Sequence, residues 1–175
     1  MRAPAGPFPL PEASDMSLWM RRALEEARRA LDEKEVPVGA VVVEGGRILG
    51  RGSNRVEALK DATAHAEMLA LTAACQTRGD WRLGGAWLYT TLEPCPMCLG
   101  AAALARVEGV VFGAAETRYG ACGSRVDLTD VEELTRGMRI VGGVEAEEAL
   151  DLMRQFFQSL RRGARAVESG GLENR

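Results

Sequence analysis

A strand, a proline-bounded turn and a helix follow one another within residues 88–104, and this unit most constrains the fold. Its first five residues, LYTTL, are typical of a buried strand. Pro94 and Pro96 end that strand abruptly because proline has no backbone N–H to donate. Pro96 also suits the first position of a helix, where the missing N–H costs nothing. Two thiols, Cys95 and Cys98, therefore lie three residues apart at a predicted helix start.

Helical and extended patterns alternate along the rest of the chain. The first half predicts a helix from Asp15 or Ser17 to about Lys34, two strands at 38–43 and 47–54 joined by Gly45-Gly46, and a helix at 64–77 capped by Asp61 or Thr63. The second half predicts a strand at 86–92, a helix from Pro96 to about Arg106 and a strand at 107–114. A short helix near 130–135, a strand at 138–141 and a last helix from 145 to about 162 complete the order. This order predicts an α/β fold, a three-layer α/β/α sandwich with a mixed five-stranded sheet. The hairpin should be antiparallel and the later strands parallel.

The chain of 175 residues suits one well-buried core, which we expect over residues 16–162. We expect residues 1–15, which contain four prolines and no apolar core, to be a flexible lead-in rather than a signal peptide. The Gly-rich polar segment 163–175 is expected to be a disordered tail. No apolar run approaches the length of a membrane span. Four cysteines without an export signal favour reduced thiols and a cytoplasmic location.

Charge alone says little about partners. The net charge of −3 does not favour a nucleic-acid binder. Near the C-terminus, however, the stretch 151–165 contains four arginines and only one acid: Arg154, Arg161, Arg162, Arg165 and Asp151. Such a local basic face either binds phosphates or is simply a solvated helix surface.

The only histidine of the chain, His65, supplies a third candidate metal ligand. Zinc prefers nitrogen and sulfur ligands, and three protein ligands with an open fourth position make a catalytic site. Cys95 and Cys98, at i and i+3 of a helix start, can face one point, where backbone N–H groups favour thiolates. His65 and Glu67 are two residues apart, so both reach that point only from the first turn of a helix.

Glu67 is the candidate proton carrier of this site. Two thiolates neutralise Zn²⁺, which leaves the metal less able to acidify water than one held by three neutral imidazoles. A neighbouring carboxylate compensates by accepting the proton of the water and returning it to a ring nitrogen and a leaving group.

Other interpretations of the same residues remain open at this level. A lone histidine is commonly structural, a lone C-x-x-C is shared by redox and metal sites, and Cys75 or Cys122 could complete a structural Cys₃His zinc site. The combination His-Ala-Glu followed by Pro-Cys-Pro-Met-Cys is more specific than its parts, because H-x-E…P-C-x-x-C is the signature of zinc-dependent base deaminases.

With this signature, the chain resembles the cytidine-deaminase-like superfamily and, within it, the tRNA-specific adenosine deaminases. The resemblance covers residues 18–162. Beyond the zinc motif it rests on Val36-Pro-Val-Gly-Ala-Val, Gly-Ser-Asn-Arg ending at Arg55, Asp61-Ala-Thr-Ala-His-Ala-Glu, Val110-Val-Phe-Gly-Ala, Gly120-Ala-Cys-Gly-Ser and Phe156-Phe157. It departs from the common family pattern at Ala62, Glu116 and Thr135-Arg136, all outside the zinc set.

The resemblance implies hydrolytic conversion of adenosine to inosine at the wobble position of a tRNA anticodon, by a homodimer with one zinc ion per subunit. It implies zinc binding by His65, Cys95 and Cys98, proton transfer by Glu67, and substrate contacts from Asn54, the backbone of Ala66, Val38, Phe157, Glu116 and Arg118. The implied partner is the anticodon stem-loop of an arginine tRNA, bound through an extruded loop base.

Two rival functions share parts of this pattern. A deaminase of a free base or nucleotide, of the guanine or cytosine type, would use the same zinc motif. A non-catalytic zinc protein could instead bind only RNA or a partner. The small-residue stretch 100–103 leaves a second question open, because it could pack on its own sheet or on a second subunit.

Overall fold

The computed structural model describes the backbone of residues 9–170 and the side chains up to residue 162. Within those residues the helices are α1 (Ala13–Asp32), α2 (Val56–Leu59), α3 (Ala66–Arg78), α4 (Pro96–Leu104), α5 (Glu132–Thr135) and α6 (Ala146–Gly170). The strands are β1 (Gly39–Glu44), β2 (Arg47–Ser53), β3 (Trp87–Leu92), β4 (Gly109–Ala114) and β5 (Arg139–Val141). The predicted α/β order is confirmed, with α2 as the one additional element.

The five strands form one mixed sheet in the order β2-β1-β3-β4-β5. Strand β1 is antiparallel to both β2 and β3, whereas β3, β4 and β5 run parallel. The Gly45-Gly46 turn closes the hairpin with both residues at positive φ, 55° and 75°, which glycine adopts without strain. Hairpin and parallel crossovers therefore agree with the prediction.

Side chains alternate between the two faces of β1, and each face is covered by a different pair of helices. Val41 and Val43 join an apolar cluster with Met20 and Leu24 of α1, which also includes residues of α6. Val42 joins the opposite cluster, with residues of α3 and α4. The molecule is thus the three-layer α/β/α sandwich expected of two buried sheet faces.

The stretch at the centre of α4 divides between two environments. Ala102 is fully buried in the cluster beneath α3 and α4. A Cβ added to Gly100 would meet nothing within 4 Å, so this position faces outward. The small residues therefore pack on the sheet of their own chain with one side and leave the other side uncovered.

Helix α1 begins at Ala13, before either predicted cap, Asp15 or Ser17. The carbonyl of Glu12 accepts the first helical hydrogen bond, from the Met16 N–H at 2.9 Å. Asp15 lies inside the first turn, where the helix dipole favours a negative charge. The predicted cap residues were wrong because an acid can stabilise a helix start from within the first turn, without being the N-cap residue.

Both predicted terminal segments contain helix. Residues 13–15 belong to α1, and 163–170 continue α6 beyond its predicted end near 162. Gly163 does not end the helix because one glycine costs about 1 kcal/mol relative to alanine, and good helix formers follow it. Residues 1–8 and 171–175 lie outside the described residues.

Helix α3 begins at Ala66, two residues later than predicted, because the predicted caps serve another purpose. The Asp61 carboxylate accepts hydrogen bonds from the N–H and the hydroxyl of Thr63, at 2.8 and 2.7 Å. This local turn delays the helix, so that His65 occupies the cap position with φ −71° and ψ 152°.

Two glycines of β2 allow α3 to lie directly on the edge strand. A Cβ on Gly50 would be 2.2 Å from the Ala70 carbonyl oxygen, and a Cβ on Gly52 would be 2.2 Å from that of Ala66. Real side chains never approach backbone so closely, so these positions require glycine. Because these two residues have no side chains, α3 can lie close to the sheet.

None of the described helices has both the length and the apolar character needed to cross a membrane.

Candidate active site

Three metal-binding side chains meet at the starts of α3 and α4. His65 Nδ1 lies 3.7 Å from Cys95 Sγ and 3.5 Å from Cys98 Sγ, and all three donor atoms lie within 4.8 Å of one another. Nitrogen and sulfur ligands of a tetrahedral zinc ion are about 3.6 Å apart, given the usual bond lengths. The residues present therefore fit zinc in both chemistry and spacing, with Nδ1 as the imidazole ligand atom.

The positions of the three donors follow from local helix chemistry. His65 and Cys95 are the cap residues of α3 and α4, each with extended backbone, and Pro96 follows Cys95 as the first residue of its helix. Both helices cover the same face of the sheet. At the start of α4 the backbone N–H of Cys98 donates to Cys95, which favours negatively charged sulfur there.

Hydrogen bonds inside the donor set shift its protonation. The thiol of Cys98 donates to Cys95, which lowers the pKa of Cys95 to about 4 and raises that of Cys98. The hydrogen bond with Cys95 also raises the pKa of His65. The two sulfurs share a proton that a divalent cation would displace, since the metal binds thiolates.

Glu67 is the second residue of α3 and only 4% exposed. Burial raises the pKa of its carboxyl to about 7, against the opposing effects of a backbone hydrogen bond and the charge of His65. Because His65 stands outside the helix as its cap, both side chains reach the same cavity. The spacing of two residues, awkward inside a helix, suits this boundary.

A cavity of about 490 Å³ opens over these groups, within the range of small-molecule sites. Eight of the ten predicted site residues line it: Val38, Asn54, His65, Glu67, Cys95, Glu116, Arg118 and Phe157. The other two lie behind its wall. Cys98, the third donor, is fully buried behind His65 and Cys95, and Ala66 is fully buried against Gly52.

The loop that follows β4 is held against the cavity by one buried carboxylate, Glu93. It accepts hydrogen bonds from the backbone N–H groups of Glu116, Cys122 and Ser124, at 3.0, 2.8 and 3.1 Å. Although burial opposes ionisation, these hydrogen bonds keep the pKa of Glu93 below its usual value. A Cβ on Gly120 would be 2.6 Å from the same carboxylate, so only glycine fits there.

The cavity also contains residues that the sequence analysis missed. They are Glu35, Val36, Val56, Glu57, Leu92, Glu93, Ala115, Thr117, Tyr119, Leu150 and Met153. For Glu35 and Glu93 a signal was present, because each is an acid beside an apolar strand segment. Neither position reveals its hydrogen-bond partners, which lie 19 to 31 residues away along the chain.

A larger apolar hollow, of about 670 Å³, lies between α3, α4 and α5. We call it the α3–α4 groove; its rim includes Trp81, 51% exposed, and Leu104, 74% exposed. It contains none of the donors. The chemistry belongs to the smaller cavity, and the groove is a separate surface.

Residues 13–114 match the family model described as the cytidine and deoxycytidylate deaminase zinc-binding region. The chain is 45% identical over 150 residues to a tRNA-specific adenosine deaminase of Bacillus subtilis, an alignment that covers 86% of this chain and 93% of the relative. This match extends well beyond the zinc motif.

Two solved structures show the same architecture. One, from a study of A-to-I editing by tRNA:A34 deaminases at the wobble position of transfer RNA, aligns with a TM-score of 0.74 at 39% identity, over 78% of this chain and 99% of the other. A guanine deaminase from Nitrosomonas europaea aligns with a TM-score of 0.71 at 27% identity, over 80% and 83%. The fold is shared by both, whereas sequence identity is higher with the first.

Proposed function

We propose that this chain, which belongs to the cytidine and deoxycytidylate deaminase family, hydrolyses adenosine to inosine at the wobble position of a tRNA anticodon and releases ammonia. The observation that carries the proposal is the convergence of His65, Cys95 and Cys98 with a buried Glu67 in one cavity. The 45% identity to a tRNA-specific adenosine deaminase supports the substrate.

His65, Cys95 and Cys98 would hold one zinc ion, which activates a water molecule as a nucleophile. Glu67, buried at the same cavity as the candidate ligands, would act as the proton carrier between that water and the base. It takes a proton from the water as C6 is attacked and delivers it to N1 of the base. It then moves the second proton to the amino group, so that ammonia leaves and the C6 carbonyl forms.

The remaining predicted site residues would bind the substrate. Asn54 and the backbone of Ala66 would hydrogen-bond the base, and Val38 would pack against its face. Phe157, whose ring is 42% exposed, offers a stacking surface for a loop nucleotide. Arg118, exposed on the loop after β4, would approach the RNA.

Deamination of an anticodon stem-loop tests the proposal directly. The zinc-loaded protein is incubated with an arginine-tRNA stem-loop that carries adenosine at the wobble position. We expect inosine at that position and no ammonia from free guanine, cytosine or adenosine. Ammonia from a free base together with an unchanged loop would overturn the assignment.

Guanine deamination is the second candidate function, because a guanine deaminase shares the fold with a TM-score of 0.71. The cavity alone accommodates either purine. The 45% identity to a tRNA-specific adenosine deaminase over 86% of this chain argues for the tRNA substrate. A purely structural zinc role fails to explain why a buried carboxylate faces the donors.

We further propose that two copies pair through the α3–α4 groove. The groove is apolar, and its rim carries Glu133 together with Arg106 and Arg136. A surface with both charge signs can pair with itself about a two-fold axis. We expect Leu104→Glu to convert a dimer into a monomer in sedimentation, whereas Leu160→Glu, at a similarly exposed leucine of α6, leaves the dimer intact. An unchanged dimer in Leu104→Glu would exclude this face.

A cytoplasmic location completes the proposal. Cys75, Cys95, Cys98 and Cys122 are all free thiols in this structure. Such thiols, and a zinc site built from two of them, persist in a reducing compartment.

A further inference from the structure

We propose that Glu35 is a positioning residue that fixes the orientation of the Asn54 side-chain amide and so determines which polar atoms the substrate base meets. The inference rests on the proposed function only in its choice of substrate. It concerns a residue 30 positions before the histidine and outside the zinc motif.

The position of Glu35 is set by the end of α1. Lys34 adopts a left-handed conformation with φ 63°, which turns the chain back on the helix. The Glu35 N–H then donates to the Ala30 carbonyl at 2.9 Å, a bond typical of a helix C-terminus. This geometry directs the Glu35 side chain inward, where the residue is 2% exposed.

Three N–H groups surround the buried carboxylate. Asn54 Nδ2 donates to Oε2 at 3.2 Å, the Glu57 N–H donates to Oε2 at 3.2 Å, and the Ala58 N–H donates to Oε1 at 2.7 Å. Among the described residues no lysine or arginine forms an ion pair with it. Its compensation therefore comes from these N–H groups, as a buried acid requires.

A carboxylate of this kind accepts hydrogen bonds and donates none. The Asn54 amide must therefore turn its nitrogen towards Glu35, since the opposite orientation would set oxygen against oxygen. The Asn54 backbone is fixed as well, because its N–H donates to the Val38 carbonyl at 2.9 Å. The amide oxygen and the second amide N–H are left to the cavity in one fixed order.

This order matters for a purine substrate. The edges of adenine and guanine differ in their donors and acceptors, and a flipped amide would offer each edge the wrong partner. A site that pairs its polar groups with a substrate rejects a mismatched edge, because one member of the pair is left unsatisfied. Glu35 therefore affects base recognition through Asn54 and does not itself contact the reacting atoms.

A double-mutant cycle on the zinc-loaded protein tests this dependence. We expect Glu35→Gln to lower kcat/KM for the wobble-adenosine stem-loop about 10- to 100-fold, the effect of one unsatisfied buried partner. Once Asn54→Ala is present, Glu35→Gln should change kcat/KM less than about threefold. Glu33→Gln is the matched control, an exposed acid two residues away whose loss should leave activity unchanged.

Independent effects of the two substitutions, multiplying in the double variant, would overturn the proposal, as would full activity in Glu35→Gln. The wild-type protein is assayed first on the stem-loop and on free guanine. If it converts only guanine, the proposed function fails and the same cycle is run with guanine. The two failures are therefore distinguishable.

An NMR measurement on folded protein covers the case in which Glu35→Gln unfolds. The chain has only two asparagines, Asn54 and Asn174, so protein labelled with ¹⁵N in asparagine shows two side-chain amide groups, each with two proton signals. We expect one Asn54 amide proton in the wild type to be shifted downfield and slow to exchange, and Asn54→Ala to identify the signal. Two equivalent, rapidly exchanging protons on Asn54 would contradict the proposed orientation.

Discussion

The two sides of the cavity are built in different ways. The inner wall is formed by His65, Glu67 and Cys95, with Cys98 fully buried directly behind it. These residues lie at the starts of two helices and are largely withdrawn from solvent. The outer wall, Glu116, Arg118 and Phe157, lies on a loop and on the final helix, with more exposed side chains. The groups proposed to carry out the reaction are thus fixed at helix starts, whereas the groups that would meet RNA lie on a loop or on the exposed side of a helix. Changes to the two walls should therefore affect different measurements.

The largest effect is expected from a lost metal ligand. Cys98→Ser replaces a fully buried thiol that would bind zinc as thiolate, so zinc content should fall from one ion per chain towards zero and turnover should disappear. Zinc is measured by elemental analysis of the purified protein. Cys75→Ser and Cys122→Ser are the controls and should keep their zinc; zinc loss in either would show a different ligand set.

Next in size is the loss of the proton carrier. Glu67→Gln preserves the shape of the side chain but cannot accept a proton, so we expect kcat to fall about 10²- to 10⁴-fold. Zinc content should stay at one per chain because Glu67 is not a ligand. Turnover close to that of the wild type, measured as inosine formed per minute, would remove Glu67 from the mechanism.

Glu93→Gln separates the two walls from each other. An amide in place of the carboxylate can no longer accept all three N–H groups, so the loop after β4 should loosen at Glu116. We expect the KM for the stem-loop to rise about tenfold, with zinc content unchanged. A lower kcat with an unchanged KM would mean that the anchor supports the inner wall instead.

The smallest effect should come from the outer wall itself. Phe157→Ala removes an exposed ring, and loss of one base–aromatic contact should raise the KM for RNA up to about tenfold while leaving kcat near its original value. Leu160→Ala, at another exposed position of the same helix, is the control. Equal KM changes in both variants would deny Phe157 a specific role.

The sequence predicted the metal-ligand cluster from its own residues, whereas it did not predict the buried acids Glu35 and Glu93, for a physical reason. The donor motif is short and local, and the turn of two prolines and a helix start is visible in the residues around Cys95. The hydrogen bonds of Glu35 and Glu93 are tertiary, joining segments that periodicity treats as unrelated. In the sequence, such an acid is visible only as a charged residue beside an apolar run, and its hydrogen-bond partners are not visible at all.

The predicted helix boundaries were wrong where local hydrogen bonds competed with helix propensity. The four residues of α2 are too few to show a periodic pattern, and Asp61 forms a turn with Thr63 rather than capping α3. The strands, in contrast, were found within a residue or two. For β1, β3 and β4 the reason is that a run of apolar residues buried on both faces leaves a clear signal.

The contact between Gly52 and the first turn of α3 has a consequence for reading genetic variants. A methyl group at Gly52 would strike the Ala66 carbonyl, and Ala66 lies between His65, the proposed zinc ligand, and Glu67, the proposed proton carrier. Gly52→Ala would therefore resemble a mild surface change in a sequence comparison and behave as an active-site lesion. The proposed active site would therefore limit which residues this position of the edge strand can accept, and libraries built for directed evolution should leave Gly52 untouched.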